Sequence, residues 1–136
     1  MSPASPVYSK ILIVPESAID ENNHVNNVMY VQWMQDIAVE HYASIGGIAA
    51  QGADSTWVVR EHRIEYFLPA FLGEEIEIKT WVENIRRVRS LRKYEFIRKA
   101  DGKVLVKGET DWVFVDVKTG SPRAIPEEVS NVFNLE

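Results

Sequence analysis

From Val28 to Ile45 apolar residues recur at helical spacing, and from Trp57 to Val117 the pattern changes to period two and stays there. That switch constrains the fold more than any other feature. Val31, Met34, Ala38, Tyr42 and Ile45 repeat at intervals of three and four, which places them on one side of a helix roughly 27 Å long at about 1.5 Å per residue. Asn26 or Asn27 can cap its first turn, and Gly46-Gly47 offers the left-handed residue that ends many helices. Ahead of the helix, Tyr8 to Val14 alternates, is rich in branched residues, and reads as a strand ended by Pro15.

After a polar, glycine-containing stretch from Ala49 to Ser55, Trp57 to Tyr66 reads as the second strand. A turn around Pro69 to Gly73 follows. Ile76, Thr80 and Val82 then alternate with Glu75, Glu77, Lys79 and Glu83, the signature of a strand with one wet face. Ser90 to Lys99 is the next strand, Asp101-Gly102 signals a hairpin, and Val104 to Val117 is a long last strand with Trp112 and Phe114 on one side. Pro126, at a first helical position, opens a short C-terminal helix with Val129, Val132 and Phe133. The order predicts an α+β architecture: a curled antiparallel sheet of about five strands wrapped around one long central helix. Such a sheet leaves a second face and two edges to cover, and Trp81 and Ile85 fall on the polar parity of their strand. Self-association into a homodimer or homotetramer is the expected remedy.

A chain of 136 residues is expected to form one domain, 1–136, with residues 1–6 as a loose tail. Nothing approaches the run of about 18 apolar residues that spans a bilayer, and residues 1–6 lack a basic start and an apolar segment, so a cytoplasmic, non-membrane protein is expected. Without cysteine there is no disulfide, thiolate ligand or cysteine nucleophile. A net charge of −5 argues against nucleic-acid binding, which draws on cations that displace counterions from phosphates. Nine of the fifteen lysines and arginines nevertheless lie between Arg86 and Lys107, against only Glu95 and Asp101. This strip is either a solvated strand face or a site for a phosphorylated ligand or acidic carrier domain.

The residues that point to chemistry precede the helix: Asp20-Glu21-Asn22-Asn23-His24-Val25-Asn26-Asn27. An Asx-rich turn leading to a cap accounts for the asparagines alone. Asp20 and His24 bracket the run and can face one another across a tight turn. Unpaired N–H groups in a first helical turn carry roughly half a positive charge and polarise an oxygen placed there. A carboxylate such as Asp20 can then attack the carbonyl or deprotonate water, while His24 or an Asn amide orients the substrate. A thiolate leaving group, with a conjugate acid near about pKa 8.5 by analogy with cysteine, needs little general-acid help, so thioester cleavage suits so sparse a site. No cofactor is called for.

Asp20-x-Asn22-x-His24-Val25-Asn26-Asn27-x-x-Tyr30 closely resembles the active-site segment of hotdog-fold thioesterases, both the plant acyl-ACP thioesterases and the broader 4-hydroxybenzoyl-CoA thioesterase-like acyl-CoA hydrolases. The element order is similar as well, from Tyr8 to about Phe133. The resemblance implies hydrolysis of acyl-CoA or acyl-ACP. It implies catalytic roles for Asp20 as nucleophile or general base and for Asn22 and His24, with the backbone N–H near Asn27 polarising the thioester carbonyl. It also implies that Arg86 to Ser90, with Arg87, Arg89 and Ser90 as candidates, meets the nucleotide end of coenzyme A. The acyl chain is expected between helix and sheet, near Tyr30, Met34 and Trp57. Two departures stand out. The plant enzymes fuse two repeats and use an additional acidic residue, where this chain reads Tyr66-Phe67-Leu68-Pro69, and many single-repeat relatives have Gly immediately before the motif histidine, where this chain has Asn23.

Other readings are weaker. A hotdog enoyl-CoA hydratase or dehydratase would show a pattern like Asp-x-Asn-Pro-x-His; here the histidine comes one residue early and the proline is missing. A metal is not expected, since only His41 and His62 remain to join Asp20 and His24. Ser-His-Asp catalysis lacks a Gly-x-Ser-x-Gly elbow. A non-catalytic acyl-binding protein would gain nothing from a carboxylate desolvated beside an acyl chain.

Overall fold

The structure is a computed structural model that describes residues 5–133. The long helix, α1, spans Asn27–Ser44 and buries Tyr30, Trp33, Met34, Ile37, Ala38, His41 and Tyr42, an unbroken series of threes and fours. Met34, Ala38 and Tyr42 belong to the predicted stripe, whereas Val31 and Ile45 lie at its flanks, half-buried. The helix carries apolar residues off the buried face too, with Val28 and Val39 exposed 70% and 58%, so hydrophobicity alone defines its orientation poorly. Gly46 ends it in the left-handed conformation, φ +83°. A short helix follows within the stretch read as an irregular connection: α2, Gly47–Gln51.

The strands are β1 (Tyr8–Ile13), β2 (Ser55–Tyr66), β3 (Glu75–Arg86), β4 (Arg89–Arg98) and β5 (Val104–Asp116). They form one antiparallel sheet in the order β1-β3-β4-β5-β2. The chain therefore leaves β1 at one edge, crosses the inner face as α1, and re-enters at the opposite edge as β2. Burial of Ile76, Ile78, Thr80 and Val82 on β3 and of Ser90, Arg92, Tyr94 and Phe96 on β4 marks the inner face. The curled sheet, the long helix and the short terminal helix α3 (Glu127–Val132) make up the predicted α+β architecture.

Packing along α1 divides into two clusters. Toward its start, Tyr30 meets Phe96 edge-on at 5.1 Å and Met34 lies over β5. Gly108 leaves room for this approach, because a Cβ there would sit 2.9 Å from the Met34 sulfur and the thioether would have to shift. Toward its end, Tyr42 stacks on Phe133 at 5.7 Å beside Phe114 and Val129. Phe96 and Phe114 are wholly buried, and burial of a side chain of this kind contributes about 1.5–3 kcal/mol.

Three local expectations are corrected. A register shift between Val82 and Asn84 places Ile85 opposite Ser90 on the inner face, so only Trp81 of the pair projects outward, its indole N–H donating to Glu83 at 3.0 Å. Ser5, within the expected tail, is buried: its N–H donates to the Val82 carbonyl at 3.1 Å and its hydroxyl accepts from the Val82 N–H at 2.7 Å. Residues 1–4 of that tail lie outside the described residues. Pro126 is the cap of α3, in extended conformation, rather than its first helical residue. Among the described residues no helix is long and apolar enough to cross a membrane.

Candidate functional site

The polar run before α1 folds as a small closed turn. Ile19 and Val25 form an isolated bridge, the Asp20 N–H donates to the His24 carbonyl at 3.1 Å, and the Asn23 N–H donates to the Asp20 carbonyl at 3.0 Å. Asn23 closes it in the left-handed region at φ 64°, which asparagine tolerates better than most residues and glycine best of all. Asp20 and His24 do face one another, through backbone rather than side chains. The Asp20 carboxylate accepts the Asn22 N–H on Oδ1 at 2.9 Å, and its Oδ2 has no hydrogen bond among the described residues. The turn is tied to the rest of the molecule where the Val25 N–H donates to the Ala70 carbonyl and the Asn26 N–H to the Ala18 carbonyl, each at 2.9 Å.

Asn26 is the cap of α1: its side chain accepts the Val28 N–H at 2.9 Å, and its carbonyl accepts the Met29 N–H at 2.9 Å. The Asn27 N–H is left with no hydrogen-bond acceptor among the described residues. It stands at the positive end of an eighteen-residue helix. Asn27 also lines a cavity of about 200 Å³ together with His24, Val25, Tyr30 and the segment Tyr66 to Pro69. The Tyr66 hydroxyl donates to the Asn27 carbonyl at 3.2 Å, fixing that segment against the helix start. Burial, reinforced by Tyr66 and Glu74, pushes the Tyr30 phenol up to about 12, so Tyr30 stays neutral as a wall of the cavity. Exposed apolar side chains lie in and beside the same segments: Val28, Phe67, Leu68, Phe71 and Leu72.

The candidate residues are therefore distributed. His24, Asn27 and Tyr30 share this cavity, while Asp20 and Asn22 lie in the adjoining turn and not in its wall. Met34 is wholly interior. Trp57 and Ser90 belong to a second cavity of about 210 Å³, further along α1, whose walls include Ala38, Tyr42 and Phe133. The basic strip is split by strand alternation. Arg92 points inward, whereas Arg89 pairs with Asp111, which also accepts from Arg60 at 3.0 Å. Arg86 and Arg89 line an outer cleft of about 430 Å³ shared with Glu61, Glu109 and Asp111. Arg87 sits in the β3–β4 turn at φ 51°. No group of three or more His, Asp or Glu side chains among the described residues is placed to hold a metal ion.

The second cavity holds residues that motif reading passed over. Arg92 is 4% exposed and donates through Nη1 to His41 Nδ1 at 2.8 Å and to the Thr80 hydroxyl at 3.1 Å. Burial pushes its guanidinium down to about 10, which leaves it charged at neutral pH. Burial first, then the Arg92 charge, pushes His41 down to about 4, so its Nδ1 is free to accept. Tyr8 stacks on the His41 ring at 5.2 Å. The position of Arg92 between the inward residues Ser90 and Tyr94 of an alternating strand was the signal available in the sequence.

His41 makes stability fall in acid. The unfolded chain takes up its proton near about pH 6.5 and the folded protein only near pH 4, so the unfolded state binds more protons between those values. This contribution is complete above about pH 6.5 and is lost as pH falls toward 4, amounting to about 2 kcal/mol after allowance for solvent screening. Urea unfolding from pH 7.5 to 4.5 should show a steeper loss for the natural chain than for His41→Gln, which keeps an acceptor for Arg92; parallel curves would contradict this.

The sheet-wrapped helix and the turn at its N-terminus define a hotdog-fold protein. The sequence pattern of the thioesterase-like superfamily matches residues 14–133, and the chain belongs to that superfamily. No curated protein matches it. In three dimensions it is similar to the PA5185 protein from Pseudomonas aeruginosa at 21% identity and TM-score 0.84, over 96% of this chain and 90% of that one. It is also similar to Slr0204, a 1,4-dihydroxy-2-naphthoyl-CoA thioesterase from Synechocystis, at 15% identity and TM-score 0.83, over 94% and 96% of the two chains. An acyl-ACP thioesterase from Bacteroides thetaiotaomicron aligns at 20% identity and TM-score 0.84, with 96% of this chain covering 54% of that one. These likenesses establish the shared fold.

Proposed function

We propose that this protein hydrolyses acyl thioesters, with acyl-CoA or acyl-ACP as substrate and the thioester carbonyl seated at the start of α1. The observation that carries this reading is the Asn27 N–H at the helix terminus, without an acceptor among the described residues, beside a crevice it shares with His24, Val25, Tyr30 and the segment from Tyr66 to Pro69. A carbonyl oxygen placed there gains a donor and the helix dipole together, and both strengthen as negative charge develops on it. Asp20, through its free Oδ2, either takes a proton from water as hydroxide adds to the carbonyl carbon or adds directly to that carbon. In both routes the C–S bond breaks and the sulfur departs as thiolate. In the second, water then cleaves the acyl–Asp20 anhydride and restores the carboxylate. Asn22 and His24 orient the substrate from the turn, and Tyr30 bounds the acyl side.

A second copy of the chain is part of this reading. It would cover the exposed Val28, Phe67, Leu68, Phe71 and Leu72 and close the site over the acyl chain. Arg87 and Arg89 remain the cations proposed for the phosphates of coenzyme A. Within one chain they lie at the far end of β4 from Phe96, roughly 23 Å at about 3.3 Å per residue, so an extended substrate or the hairpin of another subunit is required. Thiol release, followed spectrophotometrically across acyl-CoA esters of aromatic and aliphatic acids and across acyl-ACP, is expected for at least one class. Absence of turnover on every ester, with binding retained, would replace the hydrolase by an acyl-binding protein.

A further inference from the structure

We propose that the cavity between the second half of α1, α2 and the start of β2 binds a compact organic carboxylate, its charge held by Arg92 and its apolar body by the surrounding aromatic walls. The guanidinium has no carboxylate within ion-pair distance among the described residues. A buried cation left so is costly, and natural interiors seldom keep one without a counter-charge. Its protein contacts are the neutral His41 ring, the Thr80 hydroxyl, and Phe133, whose ring centre lies 5.9 Å from Cζ. None supplies negative charge. Nε and Nη2 have no acceptor among the described residues, and Arg92 lines the cavity, so its remaining exposure is toward it.

A hydroxyl donor stands beside the guanidinium. Ser90, 5% exposed, lines the cavity with no hydrogen bond to its hydroxyl among the described residues. Trp112 lines it too and adds an aromatic wall. A planar, two-oxygen anion fits the fork of an arginine and an adjacent hydroxyl better than a point charge does. The remaining walls are mostly apolar, with Ala38, Tyr42, Trp57, Phe133 and Ile48, the last exposed 55%, alongside the polar Gln51 and Thr56. At about 210 Å³ the space is below the roughly 300–1,000 Å³ of sites for drug-sized ligands, which limits the body to a single ring or short chain. The packed side chains of Trp33, Met34 and Ile37 separate this cavity from the one at Asn27, so the carboxylate is a second ligand and not the thioester's acyl end. The proposal stands apart from the hydrolase reading, and failure of acid binding would leave thiol release at Asn27 unaffected.

Calorimetric titration of the full chain with benzoate, benzamide and inorganic phosphate tests it. Benzoate should saturate, benzamide should bind at least about tenfold more weakly, and phosphate should not compete, since it lacks an apolar body. Arg92→Met should weaken benzoate at least about tenfold and raise Tm, because it replaces a buried charge with no carboxylate partner among the described residues by an apolar chain of similar length. Should that variant fail to fold, Ser90→Val should still weaken benzoate severalfold. Absence of saturable benzoate binding, equal affinity for benzamide, effective competition by phosphate, or undiminished binding in the folded variants would each overturn the proposal.

Discussion

Asparagine in place of Asp20 should lower kcat for thioester hydrolysis by about 100- to 10,000-fold, the range spanned by loss of a general base, while Tm stays close to that of the natural chain. The substitution is chosen for what it preserves. Asp20 Oδ1 accepts the Asn22 N–H at 2.9 Å, and the amide oxygen of asparagine can accept the same bond, so the turn before α1 keeps its shape and only the charge is lost. Asp20→Ala removes the acceptor as well and should additionally loosen the turn. A folded Asp20→Asn protein with unchanged kcat would move the base elsewhere, and Glu21 and Glu74 would then be the carboxylates to test next.

The companion experiment removes a backbone hydrogen atom. Asn27 is the first residue of α1, where proline is well accommodated, and Asn26 before it is already extended at φ −64°, ψ 133°, as a residue preceding proline prefers. Among the described residues the Asn27 N–H makes no hydrogen bond that proline would cost the fold. Asn27→Pro should therefore remain folded with kcat reduced by about 100- to 1,000-fold, the size of effect expected when one oxyanion donor is removed. Asn27→Ala, which loses the same side chain and keeps the N–H, should stay within a few-fold of the natural enzyme. Equal losses in both variants would show that the amide side chain, and not the helix terminus, carries the effect.

How far these positions could be read beforehand depended on whether their signals were local. The turn, the cap and the helix terminus lie within eight consecutive residues, and their chemistry follows from Asx turns and free first-turn donors, so Asp20 to Asn27 was legible as a unit. Tyr66 to Pro69 could be singled out only by resemblance, because nothing local says that the end of β2 lies against the start of α1; the 3.2 Å bond from Tyr66 to the Asn27 carbonyl makes that connection. Arg92 reads as one cation of a basic strip although strand parity places it inside, since charge is normally a mark of the wet face. Ile85 failed in the opposite sense, because a one-residue bulge after Val82 reverses parity from there on.

Sequence alone determined the element order, the α+β class and the placement of a polar turn at a helix N-terminus. Each of these is set by periodicity or by hydrogen bonds between residues close in the chain. Tertiary structure decided the rest: which face of an α1 with apolar residues on more than one side is buried, that Trp57 and Ser90 share a cavity remote from Tyr30, and that Arg92 lies in the interior with only neutral partners among the described residues. The physical reason is the same in each case. Curling the sheet around one helix brings together residues tens of positions apart, and the burial, cavities and uncompensated charge that result are properties of those meetings rather than of any segment.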